Sequence, residues 1–87
     1  MAAAYRVYVI QNRQGKFYIG LSDHVGGRID QHNFGGSKWT RGKGPWKLIW
    51  QSHGMNLSDA RKLELMFKRQ KGGDGLYRMI GRPRSES

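Results

Sequence analysis

Apolar and polar side chains alternate along three short segments of the chain and recur at helical spacing along two longer ones. Residues 5–11 and 16–22 are rich in β-branched and aromatic side chains, a composition that is typical of strands. The polar stretch from Asn12 to Gly15 between them is typical of a turn, with Gly15 free to adopt positive φ. Two strands with so short a connection predict an antiparallel hairpin.

A third strand is predicted over residues 46–52, after a basic loop that is rich in glycine. Alternation along this strand places three large apolar side chains on one face: Trp46, Leu48 and Trp50. We expect Trp46 to lie in the core, whereas Trp39 in the preceding loop is equally compatible with the core and with the surface.

A first helix is predicted over residues 23–33, between the second and third strands. Its inward face is formed by three residues at helical spacing: Val25, Ile29 and His32. Ser22 or Asp23 can cap the start of this helix, because both side chains accept hydrogen bonds from free backbone N–H groups.

A second helix is predicted to begin after Asn56 or Ser58, either of which can cap it, and to run to about residue 71. Its apolar positions follow helical spacing: Leu57, Ala60, Leu63, Met66 and Phe67. The apolar residues 76–80 predict one further helical turn. The order β-β-α-β-α-α, without repeating βαβ units, predicts an α+β fold with a three-stranded antiparallel sheet flanked by helices.

The length of 87 residues predicts one domain over residues 5–80, with a flexible N-terminus at 1–4 and a disordered tail at 81–87. The chain contains no cysteine, so neither a disulfide nor a thiolate zinc site can stabilise it. No apolar stretch resembles a signal peptide or approaches the roughly 20 residues of a membrane span. We therefore expect a cytoplasmic protein that does not insert into membranes.

The formal net charge is +10, from 16 Lys and Arg side chains against 6 acids. Such an excess destabilises a compact chain by self-repulsion, so a polyanionic partner is expected, with nucleic acid ahead of a ribosomal surface or an anionic membrane. Cations neutralise phosphates and aromatic rings stack on unpaired bases. On these grounds the predicted nucleic-acid-binding residues are Lys38, Trp39, Arg41, Lys43, Lys47 and Lys68.

Five residues follow one another along the chain at characteristic spacings: Tyr8, Tyr18, Arg28, His32 and Glu64. Together they resemble the motif residues of the GIY-YIG nuclease superfamily, in particular of its small stand-alone members. Arg6-Val7-Tyr8 corresponds to the first motif, with Arg6 in place of glycine, and Tyr18-Ile19-Gly20 is the second motif intact. Arg28 follows Tyr18 by ten residues, His32 follows Arg28 by four, and Glu64 lies in the second predicted helix, as in that superfamily. The resemblance covers about residues 5–71.

The resemblance implies a nuclease domain whose catalytic residues are Tyr8, Tyr18, Arg28, His32 and Glu64. Glu64 is implied as the ligand of one divalent ion, Mg²⁺ or Mn²⁺, and the reaction as in-line attack by water that leaves a 5′-phosphate and a 3′-hydroxyl. The chemistry suits the residues, because a guanidinium binds phosphate bidentately and hard cations prefer carboxylate oxygens. With no close pair of acids in the sequence, substrate phosphate is expected to complete the coordination of the ion.

Tyr8 is the candidate that activates or positions the attacking water. An isolated tyrosine titrates near pH 10, so we expect the positive charges of Arg28 and the metal to lower the pKa of Tyr8 towards the phenolate. His32, one helical turn after Arg28, is expected to accept or relay the proton. The hydroxyl of Tyr18 is expected to orient the water or to bind a phosphate oxygen.

Each of these residues also has an ordinary structural explanation when it is considered alone. The two tyrosines are compatible with strand aromatics, and Glu64 with a helical ion pair to Lys68 worth about 0.3–0.5 kcal/mol. The predicted function is a metal-dependent DNA endonuclease or nickase, with single-stranded, branched and duplex DNA all open as substrates and the first two favoured. The alternative is a non-catalytic nucleic-acid-binding module. A monomer or weak dimer is expected, with a protein partner as one source of specificity.

Overall fold

The structure is a computed structural model that describes residues 4–36, 40–70, 75, 76, 78, 80 and 81. The predicted flexible N-terminus and disordered tail fall almost wholly outside these residues, as do Lys38 and Trp39. Strands β1 (Arg6–Gln11), β2 (Phe17–Ser22) and β3 (Lys47–Gln51) form one antiparallel sheet in the order β2-β1-β3. The predicted fold class is therefore confirmed.

The hairpin between β1 and β2 closes through the side chain of Asn12, which is 6% exposed. Its Oδ1 accepts hydrogen bonds from the backbone N–H groups of Gln14 at 3.0 Å and Lys16 at 2.9 Å. Gly15 has φ of +83°, a conformation that glycine adopts without steric cost. The predicted turn is thus stabilised by a buried amide as well as by the glycine.

Helix α1 (Val25–Asn33) begins two residues later than predicted, and neither Ser22 nor Asp23 caps it. Ser22 is still paired with Arg6 as the last residue of β2, and its hydroxyl accepts from the N–H of His24 at 2.9 Å. The N-cap is His24, whose side chain makes no capping hydrogen bond. Pairing in β2 therefore keeps the chain extended up to Ser22, and the helix begins later than the sequence pattern predicted.

Helix α2 (Leu57–Lys68) begins as predicted, with Asn56 as its N-cap. The Asn56 side chain accepts from the N–H of Asp59 at 2.8 Å, which satisfies one of the free donors of the first turn. Beyond this helix, the N–H of Ile80 donates to the carbonyl of Leu76 at 3.1 Å, as expected for the further helical turn. Within the described segments, no helix is long and apolar enough to cross a bilayer.

Helix α1 packs on one face of the sheet and α2 on the other, so the alternating side chains of β1 serve two cores. The α2 face is formed by buried apolar residues: Val7, Val9, Ile49, Ala60, Phe67, Leu76 and Ile80. The α1 face is formed by four buried side chains: Tyr8, Ile10, Val25 and Trp46. Strand β1 thus supplies aliphatic side chains to the cluster on the α2 face and Tyr8 to the cluster on the α1 face.

Strand β3 does not show the predicted regular alternation. Its register against β1 shifts between Val9 and Ile10, where a β-bulge inserts one extra residue. Trp46 is buried on the α1 face as expected, but Trp50 packs on the α2 face with its ring centroid 4.9 Å from that of Phe67. Leu48 is 37% exposed, so the predicted shared apolar face was wrong.

Candidate active site

Three buried polar side chains on the α1 face form a hydrogen-bonded chain. The hydroxyl of Tyr8 lies 2.8 Å from Nε2 of His32, and Nδ1 of His32 lies 2.8 Å from the hydroxyl of Thr40. Each of the three residues is 1% exposed. Because buried polar groups are costly when unpaired, this chain fixes the imidazole ring between two partners. We refer to Tyr8, His32 and Thr40 as the relay.

Gly20 of β2 makes room for the ring of Tyr8. The two residues are cross-strand partners, and a Cβ at Gly20 would lie 2.6 Å from Cζ of Tyr8. A real Cβ atom cannot approach so closely, so any larger residue would displace the ring or the strand. The glycine of the second motif is therefore needed for the position of the tyrosine of the first.

Thr40 belongs to the basic loop, which two sets of hydrogen bonds fasten to the rest of the site. Its carbonyl accepts from Nε1 of Trp46 at 3.1 Å and from the N–H of Lys43 at 3.2 Å. At the end of α1, the side chain of Asn33 accepts from the N–H of Trp46 at 2.6 Å and donates to its carbonyl at 3.1 Å. The loop thereby presents the Thr40 hydroxyl to His32.

Tyr18 and Arg28 complete the surroundings of the relay. The ring of Tyr18 lies 4.7 Å from that of His32 between centroids, inclined at 60°. Arg28 is exposed, and its Nη1 donates to Oε1 of Gln31 at 2.7 Å. A half-buried aromatic ring thus contacts the imidazole, and the charge of an exposed guanidinium acts on it.

Burial raises the pKa of Tyr8 to about 12, and the negative charges of Tyr18 and Glu64 act in the same direction. Hydrogen bonding to Arg28 and its positive charge oppose this shift without overcoming it. The expected lowering of the Tyr8 pKa by Arg28 was thus outweighed, because the low dielectric around the buried hydroxyl disfavours the phenolate. Tyr8 is neutral at neutral pH in the free protein.

Burial also lowers the pKa of His32 below its ordinary value of 6.5, and the nearby charge of Arg28 lowers it further. A neutral imidazole has one nitrogen that donates and one that accepts. At neutral pH, Nε2 of His32 can therefore accept a hydrogen bond from the Tyr8 hydroxyl while Nδ1–H donates to Thr40.

Glu64 reaches the site from α2, on the other side of the sheet. It is close enough to raise the pKa of Tyr8, and its side chain is 21% exposed. Its Oε2 lies 3.3 Å from Nζ of Lys68, so the helical ion pair that the sequence allowed is also present. Contacts or charge interactions thus connect four of the predicted catalytic residues around Tyr8 and His32, and Glu64 is connected to Tyr8 through its charge: Tyr8, Tyr18, Arg28, His32 and Glu64.

No group of three His, Asp or Glu side chains that could hold a metal occurs among the described residues. Glu64 offers one partly exposed carboxylate beside the relay. That donor set fits a hard cation that keeps water and substrate ligands, and it does not fit a cage made by the protein alone.

The predicted nucleic-acid-binding residues have different surroundings. Lys43 and Lys68 line a cleft of about 450 Å³ beside Tyr18, together with Lys16, which sequence reasoning did not identify. Lys47 lines a neighbouring cleft, and Nε of the exposed Arg41 donates to the carbonyl of Gly35 at 3.0 Å. Lys38 and Trp39 lie outside the described residues.

Comparison with known proteins identifies the family of this chain. The model of the GIY-YIG catalytic domain matches residues 4–77, and the chain therefore belongs to this nuclease-type family. The UPF0213 protein spr1390 of Streptococcus pneumoniae is 38% identical over 75% of this chain and 67% of its own length. A UPF0213 protein of Aeromonas salmonicida is 37% identical over 79% of this chain, which spans about half (52%) of that relative.

A solved structure shares the fold as well. The solution structure of the UPF0213 protein BH0048 from Bacillus halodurans has a TM-score of 0.57 and 27% identity to this chain. The match covers 88% of this chain and 82% of that protein. The three-stranded sheet with its two helices is therefore shared with a small relative.

Proposed function

We propose that this protein is a metal-dependent DNA endonuclease or nickase that hydrolyses phosphodiester bonds. The observation that carries the proposal is the relay, in which a buried tyrosine and a buried neutral histidine lie in hydrogen-bond contact at 2.8 Å. Arg28 and Glu64 act on the same tyrosine, one with a positive and one with a negative charge. In the proposal, His32 would serve as the proton acceptor, Arg28 as the phosphate-binding group and Glu64 as the metal ligand.

In the proposed reaction, the Tyr8 oxygen takes a proton from the attacking water while its own proton passes to Nε2 of His32. Thr40 supports this direction when its hydroxyl oxygen accepts from Nδ1–H of His32, because Nε2 is then the accepting nitrogen. No free phenolate is formed, which suits a Tyr8 whose pKa is about 12. Such positioned proton transfer accelerates reactions by about 10²–10⁴-fold.

Arg28 would bind a non-bridging oxygen of the scissile phosphate and stabilise the charge that grows in the transition state. Glu64 would hold the divalent ion, Mg²⁺ or Mn²⁺, together with substrate oxygens and water. When bound, such an ion supplies Lewis-acid stabilisation of the phosphate. With a single carboxylate as ligand, the protein should bind the metal weakly until DNA is present.

Tyr18 would orient the attacking water or a phosphate oxygen, and in-line attack would leave a 5′-phosphate and a 3′-hydroxyl. A monomer with one such site nicks, and cutting of both strands needs a dimer or two encounters. A preference for single-stranded or branched DNA, a protein partner for specificity and a cytoplasmic location stay predictions.

The test is cleavage of labelled single-stranded, duplex and branched DNA with Mg²⁺ or Mn²⁺, with and without EDTA. We expect cutting by the wild type that stops in EDTA and in Arg28→Ala, whereas Arg61→Ala, an exposed arginine of α2, cuts normally. Circular dichroism establishes that both variants are folded. Cleavage that survives EDTA would contradict the metal role, and binding without cleavage of any substrate would establish the non-catalytic alternative.

A further inference from the structure

Three lysines from separate parts of the chain meet in the cleft beside Tyr18. Lys16 follows the hairpin turn, Lys43 belongs to the basic loop, and Lys68 is the last residue of α2. We call this site the lysine cleft, and it is lined by Lys16, Phe17, Tyr18, Lys43, Trp46 and Lys68. Lys68 also forms an ion pair with Glu64 at 3.3 Å, and the addition of Lys16 and Lys43 to the same cleft favours an anionic ligand there.

The buried side chain of Asn12 fixes two of these lysines relative to each other. Its Oδ1 accepts from the N–H of Lys16 at 2.9 Å, and its Nδ2 donates to the carbonyl of Lys43 at 3.1 Å. Gly42, with φ of +75°, forms the turn whose hydrogen bond joins Lys43 N–H to the Thr40 carbonyl. The backbone positions of both cations are therefore preorganised, and Thr40 connects the cleft to the relay.

The remaining walls of the cleft supply aromatic surface. Phe17, Tyr18 and Trp46 all line the cleft, and Phe17 and Tyr18 are half-buried whereas Trp46 is buried. Phe17 also packs against the α2-face cluster, and the ring of Tyr18 also contacts that of His32. Aromatic residues beside cations are an arrangement that binds unpaired bases together with their phosphates. A duplex keeps its bases stacked on one another and has no base face to offer these rings.

A second cleft continues the path beyond Trp46, which lines both. It contains Arg13 and Lys47 together with Gln11, Asn12 and Pro45. Cations therefore follow one another from the end of α2, across the hairpin turn, to the start of β3. Such a track suits the backbone of a single strand that passes Tyr18.

We propose that the lysine cleft binds one unpaired DNA strand next to the scissile phosphate, with phosphates on the lysines and a base against Phe17 or Tyr18. The identification of the ligand as DNA rests on the function proposed above. The strand continues past Trp46 towards Arg13 and Lys47. The protein therefore binds single-stranded or branched DNA more tightly than plain duplex.

The test is equilibrium binding of a fluorescein-labelled single-stranded 12-mer and of a hairpin duplex, in EDTA, over a range of salt concentrations. Lys16→Ala/Lys43→Ala is compared with Arg61→Ala/Lys62→Ala, which removes the same charge from exposed positions of α2 outside both clefts. On the single strand, loss of two phosphate contacts should lower the magnitude of the log–log salt slope by about 1.4, at about 0.7 per contact. The control double variant should keep the wild-type slope.

Equal slopes in the two double variants would overturn the proposal, since general charge would then explain binding. A larger effect on the hairpin duplex than on the single strand would overturn it as well, because the cleft would then hold duplex. Since EDTA prevents cleavage, the two proposals fail separately. If the protein binds DNA through the lysine cleft but never cleaves it, the proposed nuclease activity is wrong and the proposed cleft is retained. If the protein cleaves DNA but the cleft variant has the same salt slope as the control variant, the proposed cleft is wrong and the nuclease activity is retained.

The aromatic contribution is tested with Phe17→Leu on a normal 12-mer and on one with abasic sites throughout. Loss of one base–ring stack should weaken binding of the normal strand about fivefold or more. The same variant should bind the abasic strand like the wild type, an outcome that general damage to the protein would not produce. Equal weakening on both strands would contradict a stacking role for Phe17.

Discussion

The two faces of the sheet contain different kinds of buried side chain, although the same central strand supplies both. On the α2 face, Val7 and Val9 of β1 pack with Phe67 in a cluster of apolar residues. On the α1 face, Tyr8 of the same strand lies in hydrogen-bond contact with His32. Apolar packing has no preferred direction, whereas a hydrogen-bonded relay fixes the orientation of each partner.

This difference separates stability from chemistry within a small domain. Changes on the α2 face should alter the free energy of unfolding and leave the rate per folded molecule unchanged. Changes to the relay should alter the rate per folded molecule as well as stability.

Tyr8→Phe removes the hydroxyl that we propose exchanges protons with the water. Single-turnover cleavage should slow by about 10²–10⁴-fold, the usual contribution of a positioned proton acceptor. Stability should fall by about 1–3 kcal/mol, because Nε2 of the buried His32 loses its partner. The control is Tyr5→Phe, a half-buried tyrosine outside the site. Equal rates for the two variants would exclude the role of Tyr8.

Phe67→Ala removes a ring that is 2% exposed from the α2 face. Such a deletion in a packed core costs about 3–5 kcal/mol, which urea denaturation measures. The cleavage rate, corrected for the folded fraction, should match that of the wild type, and Phe67→Leu should lie between the two in stability. A slower rate per folded molecule would show that the two faces are coupled.

Thr40→Val keeps the approximate shape of the side chain and removes the hydroxyl that contacts Nδ1 of His32. We expect a loss of about 1–3 kcal/mol in stability and cleavage that is roughly tenfold slower, as the imidazole loses its fixed orientation. Thr40→Ser should restore most of both. Failure of serine to rescue cleavage would indicate that Thr40 acts through packing alone.

The smallest effect is on the pH dependence of stability. Unfolded chains bind a proton at His32 near pH 6.5, whereas the folded protein binds it only at lower pH. The unfolded state therefore holds more protons in this window, and the free energy of unfolding falls as pH decreases from about 6.5 to the folded pKa. His32→Gln should reduce this slope, and His53→Gln, at an exposed position, should retain it.

Much of the fold could be predicted, because the hairpin and α2 depend on local signals such as Gly15 and Asn56. The errors arose where pairing at a distance overrides local pattern. Ser22 could not cap α1 because it is paired with Arg6, and the bulge opposite Val9 and Ile10 broke the alternation of β3. Neither effect is visible without the neighbouring strand.

The five catalytic candidates were identifiable because the resemblance to a family fixes their order along the chain. Thr40 was not, since a threonine in a basic loop gives no signal until Trp46 and Asn33 close the loop onto α1. Lys16 was not predicted either, because its position beside Lys43 depends on the hydrogen bonds of Asn12 to both backbones. Arg28 lowers the Tyr8 pKa as expected, but the larger rise caused by burial was not predicted, because depth of burial is a property of the packed structure.

The most direct test of the central claim compares wild type and Glu64→Gln on branched DNA with Mg²⁺, measuring binding and single-turnover cleavage on the same preparations. Glutamine keeps the shape of the side chain and removes the charge that would hold the ion. We expect the wild type to cleave the DNA. We expect Glu64→Gln to bind it at least as tightly as the wild type and to cleave it about 10²–10³-fold more slowly, the range for loss of one electrostatic contact. Cleavage by Glu64→Gln at the wild-type rate would contradict the proposed metal role of Glu64.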